Sequence, residues 1–274
     1  MRLVHYILLS LALLSVSCEE LIDVDLNDAN PRYVIEAQLT DISPIQHIRV
    51  SETVPFGATA NSKPVEGATV LIMDSFAGYY TLRHIGNGIY EERNMKLVPG
   101  RTYRLYVEIG DQYFHAEQIM QPYVEIDSVG IVKERILNED YYLPTFKFGD
   151  PQGAPNYYKY DMSVNGGDFK FALVFNDKFN DGLYVTHQVT DFDNEVKVGD
   201  VFTVRRHCIN KSVYQYWNEF QSTNPGTAAP GNPTSNISNG ALGYFSVSSS
   251  KEYEFHILDL DLIDHSFDST ITTP

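Results

Sequence analysis

The chain has 274 residues, 13% of them aromatic, and a formal net charge of −16. An acid excess of this size repels phosphate backbones and anionic headgroups, which argues against nucleic acid as a partner. Its two cysteines, Cys18 and Cys208, make no disulfide framework, so stability must come from a packed core.

The first segment predicts the compartment. Arg2 precedes an almost wholly apolar run over residues 3–16. That run is shorter than the roughly 20 residues a permanent membrane helix needs, and it has the length of the apolar region of an export signal. Ser15 and Ser17 supply the small side chains a signal peptidase requires before Cys18. The Ser-Val-Ser-Cys sequence resembles a bacterial lipobox, although Leu14 stands one position further from the cysteine than usual. The expectation is a signal peptide over residues 1–17 and a lipidated Cys18 as the first mature residue. Two acyl chains would hold the protein stably on a membrane. Removing residues 1–17 takes away one positive charge, Arg2, and no acid, moving −16 to −17. Residues 18–32 then read as an acidic tether carrying Glu19, Glu20, Asp23, Asp25 and Asp28.

From Tyr33 the hydrophobic period becomes two, which predicts half-buried strands. Tyr33, Ile35, Ala37 and Leu39 alternate with Val34, Glu36, Gln38 and Thr40, and Ile48 and Val50 continue the pattern. Strands are expected over residues 68–73 and 78–85, the latter closed by Gly86-Asn87-Gly88. Pro99-Gly100 turns the chain into a strand through Tyr103, Leu105, Val107 and Ile109, with a hairpin partner over 114–120. These elements make a β-sandwich domain over residues 33–121. A second β-rich domain is expected over 122–274. Its strands fall at 126–132, 145–148, 157–164, 168–175, 183–189, 201–206, 243–248 and 253–258. Asn165-Gly166-Gly167-Asp168 reads as a hairpin turn rather than a phosphate loop. The fold class is therefore mainly all-β, with an Ig-like or transthyretin-like sandwich first.

One segment departs from this period. Val213, Tyr214, Trp217, Phe220 and Gln221 recur at three- and four-residue spacings, predicting an amphipathic helix over 211–222 with Tyr214, Trp217 and Phe220 on its buried face. Tyr216 falls on another face, freer to be exposed. A Pro/Gly-rich loop follows over 224–240.

Few residues point to chemistry. Zinc wants three or four ligands at close quarters, and His207-Cys208 is the one adjacent pair of soft ligands. Asp177-Lys178-Phe179-Asn180-Asp181-Gly182 echoes a calcium loop, with Phe179 where an oxygen ligand would stand, and Asp191, Asp193 and Glu195 form a second acidic cluster. Both read first as solvated turns, leaving Asp177, Asp181, Asp191 and Asp193 as weak ligands for a structural Ca²⁺; no other cofactor is expected. Gly-x-Ser-x-Gly and His-Glu-x-x-His motifs are absent, so no catalytic residue is assigned. Tyr214, Tyr216, Trp217, Tyr244 and Phe245 flank the Pro/Gly loop and are the candidate ligand- or partner-binding aromatics.

The order of features resembles the DUF4249 family of uncharacterised Bacteroidetes lipoproteins. The resemblance is carried by the lipobox and tether, Tyr33-Val34-Ile35-Glu36-Ala37, Val65-Glu66-Gly67-Ala68-Thr69-Val70, Gly88-Ile89-Tyr90 and Leu97-Val98-Pro99-Gly100-Arg101-Thr102-Tyr103. In the second half it rests on Phe175-Asn176-Asp177, Asp181-Gly182, Gly199-Asp200, the helix with Tyr214 and Trp217, Ser235-Asn236-Ile237-Ser238-Asn239-Gly240 and Gly243-Tyr244-Phe245. The first block separately resembles carboxypeptidase-regulatory or transthyretin-like sandwiches. The family implies an outer-membrane lipoprotein, often associated with TonB-dependent transporters, and no established activity. Three readings follow: a non-enzymatic transporter accessory, a glycan or peptide hydrolase with two carboxylates about 5–10 Å apart, and an adhesin or assembly subunit pairing through an open sheet edge. The first is the expected function.

Overall fold

The computed structural model describes residues 31–54, 62–136, 139–190, 196–222 and 232–258. Cys18, the signal and most of the tether, Asp191, Asp193, Glu195 and loop residues 223–231 lie outside the described residues. The first block contains β1 (Tyr33–Thr40), β2 (Gln46–Glu52), β3 (Lys63–Pro64), β4 (Thr69–Asp74), β5 (Tyr79–Gly86), β6 (Ile89–Glu92), β7 (Thr102–Ile109) and β8 (Gln112–Ile119). The second contains β9 (Ser128–Ile136), β10 (Glu139–Gly149), β11 (Tyr157–Val164), β12 (Lys170–Asn176), β13 (Tyr184–Gln188), β14 (Val201–Ile209), α1 (Lys211–Ser222) and β15 (Leu242–His256). The mainly all-β expectation holds, and among the described residues α1 is the one helix.

A twelve-stranded sheet runs β12-β11-β14-β15-β1-β2-β6-β5-β4-β7-β8, with β3 paired to β2, and a separate three-stranded sheet runs β13-β10-β9. The large sheet curls so that β4, β7 and β8 meet β1, β2 and β15 across one apolar core. Ile35, Leu39, Ile48, Val50, Val70 and Leu105 are among its fully buried residues. The alternation in β7, where Tyr103, Leu105, Val107 and Ile109 are buried and Arg104, Tyr106 and Glu108 are exposed, shows how period two selects the core face. Two tyrosines tie loops to this core. The Tyr90 hydroxyl donates to Val65 O and accepts from Ala68 N, each at 2.9 Å, and Tyr103 Oη accepts from Val98 N at 2.8 Å.

The second core lies between the small sheet and the β12-β11-β14-β15 part of the large one. Phe146 and Phe148 of β10 and Val185 of β13 meet Tyr158, Tyr160 and Met162 of β11 and Phe202, Val204 and Cys208 of β14. On the opposite face of those large-sheet strands sits α1, over Val174, Ile209 and Tyr244. Asn210 anchors the helix entry: its Nδ2 donates to Ile119 O and its Oδ1 accepts from Gln121.

The last strand joins the two blocks. Its first half pairs in parallel with β1, Val34 to Thr40 against Leu242 to Ser248, and its second half pairs antiparallel with β14. Phe245 and Val247 line the first core, and Phe255 and Ile257, on the same face further along, line the second. The two strands expected at 243–248 and 253–258 are therefore one. The serine run between them looks like a break in sequence, but Ser246, Ser248, Ser249 and Ser250 are all buried within the sheet. Gly243 has φ 87°, and a Cβ there would overlap the carbonyl of Ile35, so only glycine permits the close approach of β15 to β1.

Candidate functional site

Three arrangements of polar or aromatic side chains are built around the second block. The first lies beneath α1. Antiparallel pairing places Lys159, His207 and Ser250 in one row across β11, β14 and β15, on the sheet face away from the second core. Asp161, two residues along β11, shares that face. It forms an ion pair with Lys159 and accepts from His207 Nε2 at 3.1 Å. Because a carboxylate only accepts, Nε2 carries the proton. Nδ1 then accepts from the Ser250 hydroxyl at 2.6 Å. Gln38 of β1 extends the network by donating to Asp161 and accepting from Lys159 and from the Tyr244 hydroxyl.

Burial pushes the Asp161 carboxyl up, yet the Lys159 ammonium and the His207 ring pull it well below the usual carboxylate range. Burial also lowers the His207 imidazole, against the opposing pull of Asp161. The chain order Asp161, His207, Ser250 is that of a hydrolytic relay, but Lys159, Asp161, His207 and Ser250 are all buried. Sequence reading missed this grouping because its members on different strands are separated by 43 residues or more. The available signal was the alternation that gives His207 of β14 and Ser250 of β15 one common face.

The second arrangement is the aromatic one anticipated near α1. Trp217 stacks on Phe171 with ring centroids 4.4 Å apart, and the Lys159 ammonium lies 4.7 Å from the Trp217 centroid. Tyr216 packs on Tyr244 at 4.9 Å and edge-on to Trp217 at 5.5 Å. Tyr214 packs on Tyr157 and accepts from Asn176. Four of the five expected aromatics are thus gathered at α1, closing the polar row from solvent. Phe245 departs from them, fully buried in the first core because it occupies the other face of β15. The helix spans its expected residues, but its faces differ from expectation. Tyr216 is packed, whereas Phe220, in the last turn, is 48% exposed while keeping edge-on contacts with Trp217 and Phe171.

The third arrangement is acidic. One carboxylate oxygen from each of Asp150, Asp177 and Asp181 lies within 4.8 Å of the others. Asp177 follows β12, Asp181 precedes β13, and Asp150 follows β10. The β10–β13 pairing carries Asp150 into the loop, where its amide donates to Leu183 O. Sequence reading had Asp177 and Asp181 but not Asp150, whose membership is set by strand pairing and not by local spacing. Burial pushes the Asp150 carboxyl up, opposed by the Tyr158 hydroxyl and reinforced by the Asp177 charge.

The same loop and the first residue of β13 carry three exposed apolar side chains, Phe179 (83% exposed), Leu183 (55%) and Tyr184 (62%). No helix among the described residues is long and apolar enough to cross a membrane.

None of the curated proteins compared with the chain matches it. A family profile described as "Domain of unknown function (DUF4249)" matches residues 19–254. That span begins directly after Cys18 and takes in all three arrangements, the first core and most of the second, so the chain belongs to the DUF4249 family.

Proposed function

We propose that the protein is a lipid-anchored outer-membrane envelope protein of the Bacteroidetes type, held by Cys18, that serves as a non-enzymatic binding partner of a TonB-dependent nutrient transporter. The observation that carries this reading is the apolar turn bearing Phe179, Leu183 and Tyr184, which offers aromatic anchors of the kind that dominate protein interfaces. The burial of the Asp161–His207–Ser250 relay supports a structural role for it, and with it binding in preference to turnover. The start of the family match at residue 19 supports maturation at Cys18. We read the first block as a transthyretin-like sandwich, which displays the second block away from the anchor.

The test is to tag the full-length protein, extract it from membranes in mild detergent and identify what co-purifies. A stoichiometric TonB-dependent transporter is expected, with Cys18→Ala reducing membrane retention and Phe179→Ser reducing recovery of the transporter. Recovery of the protein alone overturns the accessory role.

A further inference from the structure

We propose that Asp150, Asp177 and Asp181 bind a Ca²⁺ ion that fastens the end of β10 to the loop between β12 and β13. Each carboxylate uses one oxygen to accept from a protein donor. The Tyr158 hydroxyl donates to Asp150 Oδ1 at 2.6 Å, Asn156 N to Asp177 Oδ2 at 2.7 Å, and Gly153 N to Asp181 Oδ1 at 2.8 Å. These bonds fix the orientation of all three groups. The second oxygen of Asp150, Oδ2, is buried and has no hydrogen-bond partner, in a residue only 6% exposed. A buried carboxylate oxygen without a partner is destabilising, so native proteins rarely keep one unless something else satisfies it.

Among the described residues no positive charge balances that carboxylate. The charges bearing on Asp150 are those of Asp177 and Asp181, which repel it, while its favourable contacts, the Tyr158 hydroxyl and the Gly182 backbone N–H, are neutral. Lys178, the basic residue within the loop, lies with its ammonium 5.2 Å from the Phe179 ring centroid, and among the described residues it forms no ion pair with the cluster. Two like charges facing a buried carboxylate are relieved by a cation.

The donor set selects which cation. All three ligands are carboxylate oxygens, which suit a hard ion and not zinc. Ca²⁺–oxygen distances of about 2.3–2.6 Å place ligands up to about 5 Å apart, so oxygens that all lie within 4.8 Å of one another can share one Ca²⁺. Mg²⁺ keeps several of its waters and is usually bound through one or two carboxylates, so three converging carboxylates favour Ca²⁺. Gly182, at φ 72° with Gln152 where its Cβ would point, lets the chain turn tightly between Asp181 and β13.

The experiment uses the full-length protein in mild detergent, stripped with chelator and titrated with Tb³⁺. The Tyr158 ring beside Asp150 serves as the sensitiser. Tyrosine-sensitised Tb³⁺ emission is expected, saturating at one ion per chain and displaced by CaCl₂ at least tenfold more effectively than by MgCl₂. Asp181→Asn changes an exposed side chain and so preserves the fold, which circular dichroism checks; it should weaken Ca²⁺ displacement at least tenfold. Asp177→Asn should do the same. Absence of saturable emission overturns the proposal. Emission that Ca²⁺ fails to displace, or that both variants leave unchanged, also overturns it and marks the signal as adventitious.

Discussion

The two cores of this protein are built on opposite principles. The first is largely aliphatic, and its tyrosine hydroxyls reach outward to satisfy loop backbone at Val65, Ala68 and Val98. The second buries charge. Arg206 is fully buried with its guanidinium 4.4 Å from the ring centroids of both Phe148 and Tyr158, and it donates to Tyr160 Oη at 3.1 Å and Val124 O at 2.6 Å. Tyr160 Oη in turn hydrogen-bonds with Nδ1 of His187 at 2.9 Å, whose ring stacks on Phe175 at 4.0 Å. On the other face of the same strands lies the Lys159–Asp161–His207 network. A sheet covered on both faces, by β13-β10-β9 on one and α1 on the other, can exclude water from charges on both. The first block keeps its ion pairs to single buried carboxylates met by partly exposed arginines, Asp74 with Arg101 at 3.0 Å and Glu91 with Arg93 at 2.6 Å. Buried charge specifies a unique arrangement only while every partner is present.

That contrast can be broken most sharply at Asp161. Asp161→Ala leaves the Lys159 ammonium buried and unpaired, and about 3–5 kcal/mol of stability should be lost in urea unfolding. The double variant Lys159→Met/Asp161→Leu should recover most of it, since replacing a whole buried pair with apolar groups is often neutral. Failure of the double variant to recover would mean the network contributes more than pairing.

Acid should separate the regions next. Burial, with the Arg206 charge adding to it, holds the His187 imidazole down at about 3, against an ordinary 6.5. Between those values the unfolded chain takes up a proton that the folded chain refuses, so stability falls as pH drops below about 6.5. The loss should reach roughly 3 kcal/mol by pH 4. His187→Phe should flatten that limb of the profile. An unchanged acid limb would place the titration elsewhere.

The smallest effect belongs to the first core. Tyr90→Phe removes a hydroxyl that both donates to Val65 O and accepts from Ala68 N. It should cost about 1–2 kcal/mol by the same measurement and leave the pH profile unaltered. A larger loss would show that the tyrosine anchors hold the core itself together.

Local pattern made most of the fold legible. Residues 33–40 and 157–164 alternate cleanly and match β1 and β11, and the 211–222 spacing matches α1. The Asn165-Gly166 pair, at φ 52° and 72°, makes the expected turn between β11 and β12. What local pattern could not carry was pairing between distant strands. The short β3 and β6 escaped because two- and four-residue strands have too few alternations to register. The serines of β15 read as a break because their burial depends on hydrogen-bond partners elsewhere, such as His207 for Ser250 and Gln121 O for Ser249. The candidate sites were legible to the same degree. Asp177 and Asp181 share a loop and were found together, whereas Asp150, Lys159, Asp161, His207 and Ser250 become neighbours only through strand register. The aromatics of α1 were found by their spacing, but which of them pack was decided by the strand face below.

The shared strand β15 also sets the order of events when the chain folds. It follows every other described strand in sequence, and its pairing with β1 joins residues about 200 positions apart. Until it arrives, β1 keeps one edge unpaired and both cores lack a wall. Closure over such a separation carries a large loop entropy, and high contact order slows folding. A chain cut before Leu242 would therefore leave two half-built sheets with open edges, poised to pair with other chains and aggregate, instead of one finished domain and one missing.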